Sequence, residues 1–304
     1  MNLLFLIIWL IHILLVLLTV AFFTLFERKV IALVHLRTGP NKISLVGLIQ
    51  PLLDAFKLLS KQPLQSLASN KLVYSSAPHL SLFVSLTFWA LLPSYSFFLA
   101  NSFALLIFIL LGTVMVFANL IAGWSSNSKY TFIGSLRSVA QSISYESVFT
   151  TLVITLMVRI SSYGLMSCSF SSGYLIFILL PVWVFSALAE THRAPFDFSE
   201  RESELVSGYN TEYSGAYFAF VFLGEYSALL FSCSIIYYIF FTIPAFFAPT
   251  TPLIYSFITL LLSFFIILVR VTFCRFRYDL LISLAWKSLL PLSLCFLLAA
   301  YYLL

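Results

Sequence analysis

Long apolar runs separated by short polar stretches dominate this chain. A transmembrane helix needs about 20 consecutive apolar residues, and eight runs approach or exceed that length. We therefore predict an all-α polytopic membrane protein in which residues 1–304 form a single membrane domain. The predicted spans cover approximately residues 3–26, 72–92, 103–122, 136–160, 174–190, 215–241, 253–273 and 280–303.

A helix that does not span the membrane is predicted between the first two spans. Polar Gln50, Asp54, Lys57 and Lys61 recur at steps of four, three and four, while leucine and phenylalanine occupy the opposite face. This spacing places the polar residues on one stripe of a helix. The segment is therefore predicted to be a short amphipathic helix lying along the membrane surface.

The connection between the fifth and sixth spans predicts a second short helix. Ser199 and Glu202 have the spacing of an N-terminal capping box, in which each residue satisfies a backbone N–H near the other. Glycine favours the end of a helix. We therefore predict an acidic helix from Glu200 to about Ser207, ended by Gly208.

The small number of charged residues supports the membrane assignment, and the distribution of lysine and arginine predicts which loops face the inner side. The chain is 62% hydrophobic and only 9% charged, against about 25% charged in soluble domains. Fourteen of its 16 lysines and arginines lie in or beside the loops that join spans one to two, three to four, five to six and seven to eight. The excess of positive charge in inner loops predicts that these four loops face the inner compartment and both termini the outer side.

The chain has none of the common motifs for binding a metal or a nucleotide. Its four cysteines and four histidines are scattered without metal-ligand spacing. It contains neither the glycine-rich dinucleotide motif nor a P-loop. The sequence therefore predicts no metal site, no cofactor bound by this chain and no nucleic-acid partner.

Carboxylates are concentrated in one part of the chain. Six of the 11 acidic residues lie between residues 189 and 213, and Glu146 and Glu225 lie within predicted spans. Ionisable groups in a membrane are costly and by default mark ion or proton paths, and neighbouring carboxylates titrate as a coupled set. One alternative is a solvated loop helix in which Arg193 and Arg201 pair with Glu200, Glu202 and Glu204. For Glu146 and Glu225 the alternative is a simple buried pair. The candidate proton path comprises Glu146, Glu190, Asp197, Glu200, Glu202, Glu204, Glu212 and Glu225.

Two basic clusters also suggest sites. Residues 27–29 and 37–41, with the amphipathic helix, predict a polar mouth for an amphipathic ligand whose tail stays in lipid; the alternative is that their cations reach the lipid headgroups. Arg270, Arg275 and Arg277 either anchor the inner side of the membrane or dock a soluble partner.

A series of motifs gives the chain a close family resemblance. In combination and order, they resemble the family of subunit 1 of mitochondrial NADH:ubiquinone oxidoreductase, respiratory complex I, over essentially the full length. The motifs are Glu27-Arg28-Lys29, Arg37-x-Gly39-Pro40-Asn41, Gln50-Pro51-x-x-Asp54-x-x-Lys57, Arg137-x-x-x-Gln141-x-x-x-Tyr145-Glu146, Arg193-x-Pro195-Phe196-Asp197, Glu202-Ser203-Glu204-Leu205-Val206-Ser207-Gly208-Tyr209-Asn210, Glu225-Tyr226 and Arg275-x-Arg277-Tyr278-Asp279.

The resemblance implies a core membrane subunit that shares a ubiquinone chamber and couples electron transfer to proton translocation. The acidic residues above would lead from the chamber toward antiporter-like membrane subunits. Ubiquinone would be the substrate, while FMN and iron–sulfur clusters would belong to partner subunits in the peripheral arm, so this chain alone would hold no complete active site. The implied setting is the lipid of the mitochondrial inner membrane, with both termini on the intermembrane-space side and the polar loops in the matrix. The implied chamber residues are Arg28, Arg37, Asp54, Lys57, Phe196 and Tyr226.

One position departs from the family pattern, and two other functions stay open. Arg201 stands where the family usually has glycine, so either a cation can pair with Glu204 there or a codon was read with the wrong genetic code. The other functions are the membrane subunit of an energy-coupled hydrogenase and an independent ion transporter. The lack of an internal repeat counts against the transporter.

Overall fold

The computed structural model describes residues 2–64, 69–93, 102–165, 174–197, 208–241 and 251–302. Regular structure in these ranges is helical throughout, which confirms the predicted all-α class. A π-helical turn, Tyr237–Phe241, extends the helix Ala216–Ile236, and a second, Ala285–Leu289, joins the helices Tyr278–Leu284 and Leu290–Tyr302. The helices are α1 (Asn2–Val34), α2 (Gln50–Ser60), α3 (Lys71–Trp89), α4 (Ala104–Ser125), α5 (Lys129–Ile160), α6 (Tyr174–Glu190), α7 (Ala216–Ile236), α8 (Thr251–Thr272), α9 (Tyr278–Leu284) and α10 (Leu290–Tyr302).

The described helices make this a multi-pass membrane protein. Among the described residues, six helical stretches are long and apolar enough to cross a membrane. Two of the eight predicted spans are not among them: α3 is less apolar, and only Ile178–Glu190 of α6 counts as a shorter apolar helix. The count of eight therefore stays a prediction. The six stretches are Ile7–Val34, Ala104–Ser125, Lys129–Ile160, Ala216–Phe241, Pro252–Thr272 and Tyr278–Tyr302.

Two helices, α5 and α7, form the centre of the bundle. Helix α5 packs against α4, α6 and α10, while α7 packs against α1, α2, α3, α6 and α8. About half of the most apolar part of α5 and α7 is buried, whereas α1, α8 and the α9–α10 unit bury far less. The outer helices therefore leave broad apolar surfaces, as expected for helices that face lipid or neighbouring subunits.

The first helix is longer than the apolar run predicts. The predicted span ends at Phe26, but α1 continues to Val34 because Val30–Val34 is again apolar and Glu27 is buried with partners. Two residues after this end lies Leu36, whose φ of 54° is left-handed and stops the helix. The N–H of Leu36 donates to the carbonyl of Leu33 at 3.1 Å and that of Arg37 to Ala32 at 2.9 Å, which is the Schellman pattern of a helix C-terminus.

The connection between the third and fourth predicted spans is shorter than predicted. The predicted spans leave residues 123–135 as a loop, but α4 continues to Ser125 and α5 begins at Lys129. The predicted amphipathic helix is confirmed as α2, with Pro51 in its first turn and with exposed apolar side chains such as Phe56. The acidic helix predicted at 200–207 lies outside the described residues. The described chain resumes with a short 3-10 turn, Gly208–Asn210.

Candidate functional site

A buried carboxylate, Glu27, lies where α1, α7 and α8 meet. It is only 5% exposed. The Tyr226 hydroxyl of α7 donates to Glu27 Oε2 at 2.7 Å, and the Arg270 guanidinium of α8 donates to Glu27 Oε1. Buried charges persist only when they are paired and hydrogen-bonded, so Glu27 joins three helices through polar contacts.

Arg193 brings a second cation to the same carboxylate from the loop after α6. Its Nη1 lies 3.7 Å from Glu27 Oε1, and its guanidinium carbon lies 3.9 Å from the centroid of the Tyr226 ring. Burial opposes the charge, but the neighbouring Tyr226, Glu27 and Glu225 outweigh it and raise the pKa of Arg193 above its ordinary value. Arg193 is therefore a permanent cation within the protein.

Glu225 precedes Tyr226 on α7 and faces two donors of the Gly208–Asn210 turn. The Tyr209 hydroxyl donates to Glu225 Oε1, and the Asn210 side chain is also hydrogen-bonded to this carboxylate. Arg193 also interacts with Glu225 electrostatically. One arginine thus connects Glu225 with Glu27.

Asp197 completes this group of charges. It interacts electrostatically with Glu225, and its Oδ2 lies 3.8 Å from Arg275 Nη2. We refer to the connected set as the buried charge network. It comprises Glu27, Arg193, Asp197, Glu225, Tyr226 and Arg270.

The loop that carries Arg193 and Asp197 is fixed by a glutamine of α5. The buried Gln141 amide donates to the carbonyl of Ala189 at 2.8 Å and to that of Phe196 at 2.9 Å. The Phe196 ring is 2% exposed and stacks on Phe276, with 5.7 Å between ring centroids. Phe196, a predicted chamber residue, therefore packs in the core and anchors the loop there.

An exposed polar pair adjoins the network. Arg28 Nη1 lies 2.7 Å from Asp54 Oδ2, and the Gln50 amide donates to Asp54 Oδ1 at 2.9 Å. Arg28 directly follows Glu27 on α1, and α2 packs against both α1 and α7. Three predicted chamber residues, Arg28, Asp54 and Tyr226, are thus brought to one region between these helices.

Two predicted proton-path residues form a separate pair. Glu146 of α5 and Glu190 at the end of α6 interact electrostatically. Glu190 Oε1 lies against α4, where a Cβ added to Gly112 would be 3.5 Å away. Glu146 Oε1 is buried and has no hydrogen-bond partner among the described residues. Neighbouring carboxylates titrate as a unit, so this pair is suited to holding and releasing a proton.

Of the remaining predicted residues that the structure describes, Arg37, Lys57 and Glu212 belong to neither group. Arg37 and Lys57 are exposed. The Glu212 carbonyl accepts a hydrogen bond at 2.6 Å from Tyr74, whose ring stacks on Tyr213 with 4.4 Å between centroids. Burial raises the pKa of Tyr213 to about 12, so this stack is neutral. Glu200, Glu202 and Glu204 lie outside the described residues.

Several residues that build the site are not among the predicted site residues. The sequence predicts Glu27 only as part of a basic cluster after the first span, and Arg270 as an anchor or docking cation; the structure pairs the two. The sequence offers Arg193 as a partner of the loop acids, but it lies against Glu27 and Tyr226. The apolar stretch Val30–Val34, which resumes after the charged residues 27–29, is the signal that could have identified Glu27 as buried.

Comparison with known proteins agrees with the sequence resemblance. A family model described as NADH dehydrogenase matches residues 7–301. NADH-ubiquinone oxidoreductase chain 1 of Aedes aegypti is 42% identical over 283 residues, which cover 91% of this chain and 89% of that protein. The chain belongs to the NADH-ubiquinone oxidoreductase chain 1 family. Chain 1 of Anopheles gambiae is 44% identical over 287 residues (91% and 88% covered), and chain 1 of Murina florium is 42% identical over 289 residues (92% and 90% covered).

Membership in the chain 1 family fixes the broad role. The protein is a membrane subunit of NADH:ubiquinone oxidoreductase, respiratory complex I, and its partners are other subunits of that enzyme. Across the described ranges, no group of three or more histidine, cysteine or acidic side chains is placed to hold a metal ion.

Proposed function

We propose that this subunit forms part of the ubiquinone chamber of complex I and couples quinone reduction to proton translocation. The observation that carries the proposal is the position of the buried charge network, which begins one residue along α1 from the exposed Arg28–Asp54 pair. A polar headgroup at that pair would lie beside titratable groups that respond to its charge.

The surroundings of the Arg28–Asp54 pair suit an amphipathic substrate. Helix α2 carries Asp54 together with exposed apolar side chains, including Leu53 and Phe56. A quinone headgroup would be held by the polar pair, while its tail would lie along this apolar face and in lipid. The exposed Arg37 and Lys57 would complete the polar side of the entrance.

Coupling follows from a change of charge beside the network. Reduction of the quinone consumes protons and alters the local charge, and the fixed cations Arg193 and Arg270 keep the network sensitive to that change. The change would pass from Glu225 and Asp197 to Glu190 and Glu146, and onward to antiporter-like subunits. The other acids of the predicted path are Glu200, Glu202, Glu204 and Glu212.

The proposal includes a cellular setting. The subunit would lie in the mitochondrial inner membrane with both termini on the intermembrane-space side, as the placement of its lysines and arginines predicts. Electrons would reach ubiquinone from the FMN and iron–sulfur clusters of partner subunits in the peripheral arm.

Photocrosslinking with a ubiquinone analogue on the intact complex tests the chamber. We expect labelled peptides within residues 27–61 or 196–226, and we expect excess ubiquinone to compete with the label. Label confined to partner subunits would overturn the chamber assignment and restrict this chain to proton conduction or anchoring.

Kinetics of Asp54→Asn provide an independent test of the entrance. The Arg28–Asp54 pair is partly exposed, so its loss should raise the apparent KM for ubiquinone about two- to five-fold with little change in kcat. Asp279→Asn is the matched control, because Asp279 also forms an exposed pair with an arginine, with 3.2 Å between Asp279 Oδ2 and Arg277 Nε. This pair lies far from Asp54 in the sequence. Equal KM values in both variants would contradict the proposed role of Asp54.

A further inference from the structure

The Gly208–Asn210 turn is seated against α5 at a glycine. A Cβ added to Gly134 would lie 2.9 Å from Gly208 Cα and 3.0 Å from the Tyr209 backbone nitrogen. Any larger residue at position 134 would therefore displace the turn. Tyr209 and Asn210 are 1% and 3% exposed, so the turn holds two polar side chains inside the protein.

Both of these side chains reach the same carboxylate. The Tyr209 hydroxyl donates to Glu225 Oε1, and Asn210 is hydrogen-bonded to Glu225 as well. A carboxyl oxygen of Glu225 can accept a hydrogen bond from the Asn210 amide N–H, and an ionised Glu225 could take no other kind of hydrogen bond from this side chain. The charged or titratable groups that face Glu225 from the loop after α6 are Arg193 and Asp197.

The two donors differ in what they do when Glu225 takes up a proton. A tyrosine hydroxyl can donate or accept by rotating, whereas an amide N–H can only donate. Tyr209 can therefore follow either protonation state without movement of the backbone. The turn is suited to holding the carboxylate in one orientation while its proton comes and goes.

We propose that Tyr209 and Asn210 form a donor clamp that positions the Glu225 carboxylate and sets how readily it exchanges a proton during coupled turnover. Tyr209 is then a positioning residue for proton translocation. This inference rests on the proposed function of Glu225 in the proton path. It adds a specific means of controlling proton exchange at Glu225, because the clamp residues closely follow the acidic segment 200–204 in the chain.

Tyr209→Phe in the intact complex tests the clamp, with Tyr213→Phe as the matched control. Both changes delete one buried phenol hydroxyl from the same segment, but Tyr213 donates to the backbone carbonyl of Tyr74 at 3.2 Å. We expect Tyr209→Phe to lower coupled NADH:ubiquinone turnover roughly tenfold at unchanged KM for ubiquinone. Tyr213→Phe should retain turnover within about two-fold.

A spectroscopic measurement separates positioning from a general structural defect. Redox-induced infrared difference spectra of the complex should contain a carboxyl band that Glu225→Gln removes. In Tyr209→Phe this band should move, because its hydrogen bond is lost, while Tyr213→Phe should leave it in place. A band that does not move in Tyr209→Phe would overturn the clamp.

A double-mutant cycle makes the result independent of folding. Added to Glu225→Gln, Tyr209→Phe should cause little further loss, because its partner carboxylate is already gone; independent, multiplying losses would overturn the clamp. If Tyr209→Phe does not assemble, Asn210→Leu removes the second donor and must give the same cycle. Normal proton pumping in Glu225→Gln would refute the proposed function of Glu225. If Glu225→Gln pumps poorly but Tyr209→Phe turns over as fast as the control Tyr213→Phe, only the clamp is refuted.

Discussion

At the scale of single residues, His192 shows how the loop after α6 limits its positive charge. It is 8% exposed, its φ is 50°, and its Nδ1 has no hydrogen-bond partner among the described residues. Burial lowers the pKa of His192 to about 4. It is therefore neutral at physiological pH, so the adjacent Arg193 is the cation that this loop directs at Glu27.

Replacing His192 should make the complex less sensitive to acid. Its pKa in the folded protein, about 4, lies below the ordinary value of 6.5, so the unfolded chain binds more protons between these values. The contribution of neutral His192 to the free energy of unfolding is fully present above about pH 6.5. It falls by about 3 kcal/mol in all as the pH drops toward 4. His192→Asn stays neutral and tolerates the left-handed backbone.

The measurement is thermal inactivation of the intact complex at pH 7.5 and pH 5.5. We expect the loss of Tm on acidification to be smaller in His192→Asn than in the unmodified complex. Comparing the two pH values within each variant removes any constant cost of the smaller side chain. An identical acid-induced loss would show that His192 does not gain a proton on unfolding.

At the scale of elements, α5 sets the position of several others. Gln141 fixes the end of α6 and the loop that follows it, and the Tyr145 hydroxyl donates to the Leu281 carbonyl of α9 at 3.2 Å. Gly134 lies about two turns before Gln141 on α5. The backbone of the Gly208–Asn210 turn packs directly against it. One helix thus aligns the supports of both Arg193 and Glu225.

Gly134→Ala should damage this alignment. The new methyl group would meet the Gly208 backbone at 2.9 Å, and forced backbone shifts of this kind typically cost about 1–3 kcal/mol. We expect a lower Tm of the assembled complex and reduced coupled turnover, because Tyr209 would move relative to Glu225.

Gly224→Ala is the comparison for this element. There the nearest atoms belong to the Ser81 backbone at 3.4 Å, which is an ordinary contact at the crossing of α3 and α7. The Tm of Gly224→Ala should stay closer to that of the unmodified complex. Equal losses in the two variants would show that the turn moves freely.

At the scale of the whole molecule, two groups of ionisable residues are joined by one short segment. Glu190, which ends α6, interacts with Glu146, while Arg193 and Asp197 follow within the next seven residues and belong to the buried charge network. In the proposed coupling, a charge change beside the network would act on a loop whose other end carries the carboxylate pair. This arrangement gives the proposed coupling a physical route.

Glu146→Gln and Glu190→Gln should act as a single unit. Each should lower the number of protons pumped per electron in proteoliposomes containing the intact complex, because the pair loses one of its two titratable groups. The double variant should be about as impaired as the more severe single variant, since coupled groups are not additive.

Asp279→Asn, an exposed carboxylate change, serves as the control for the pair and should pump normally. Losses that multiply in the double variant would show that Glu146 and Glu190 act independently. Unchanged pumping in both single variants would remove the pair from the proton path.

The sequence by itself determined the helical class, the amphipathic helix and the family. Long apolar runs and the Gln50–Lys61 stripe are local patterns, and a helix satisfies its own backbone hydrogen bonds without distant partners. For the same reason α2 formed where its spacing predicted. The Glu225-Tyr226 and Arg193 to Asp197 motifs likewise contain residues that the structure brings together.

Only the tertiary structure decided which charges meet. Glu27 and Arg270 are separated by 243 positions, and Tyr226 by 199 positions from Glu27, so no local pattern connects them. A carboxylate after an apolar run reads as the end of a span because burying a lone charge is costly. Partners from α7, α8 and the loop after α6 offset that cost, and for that reason α1 continues past Glu27 and the network lies inside the protein.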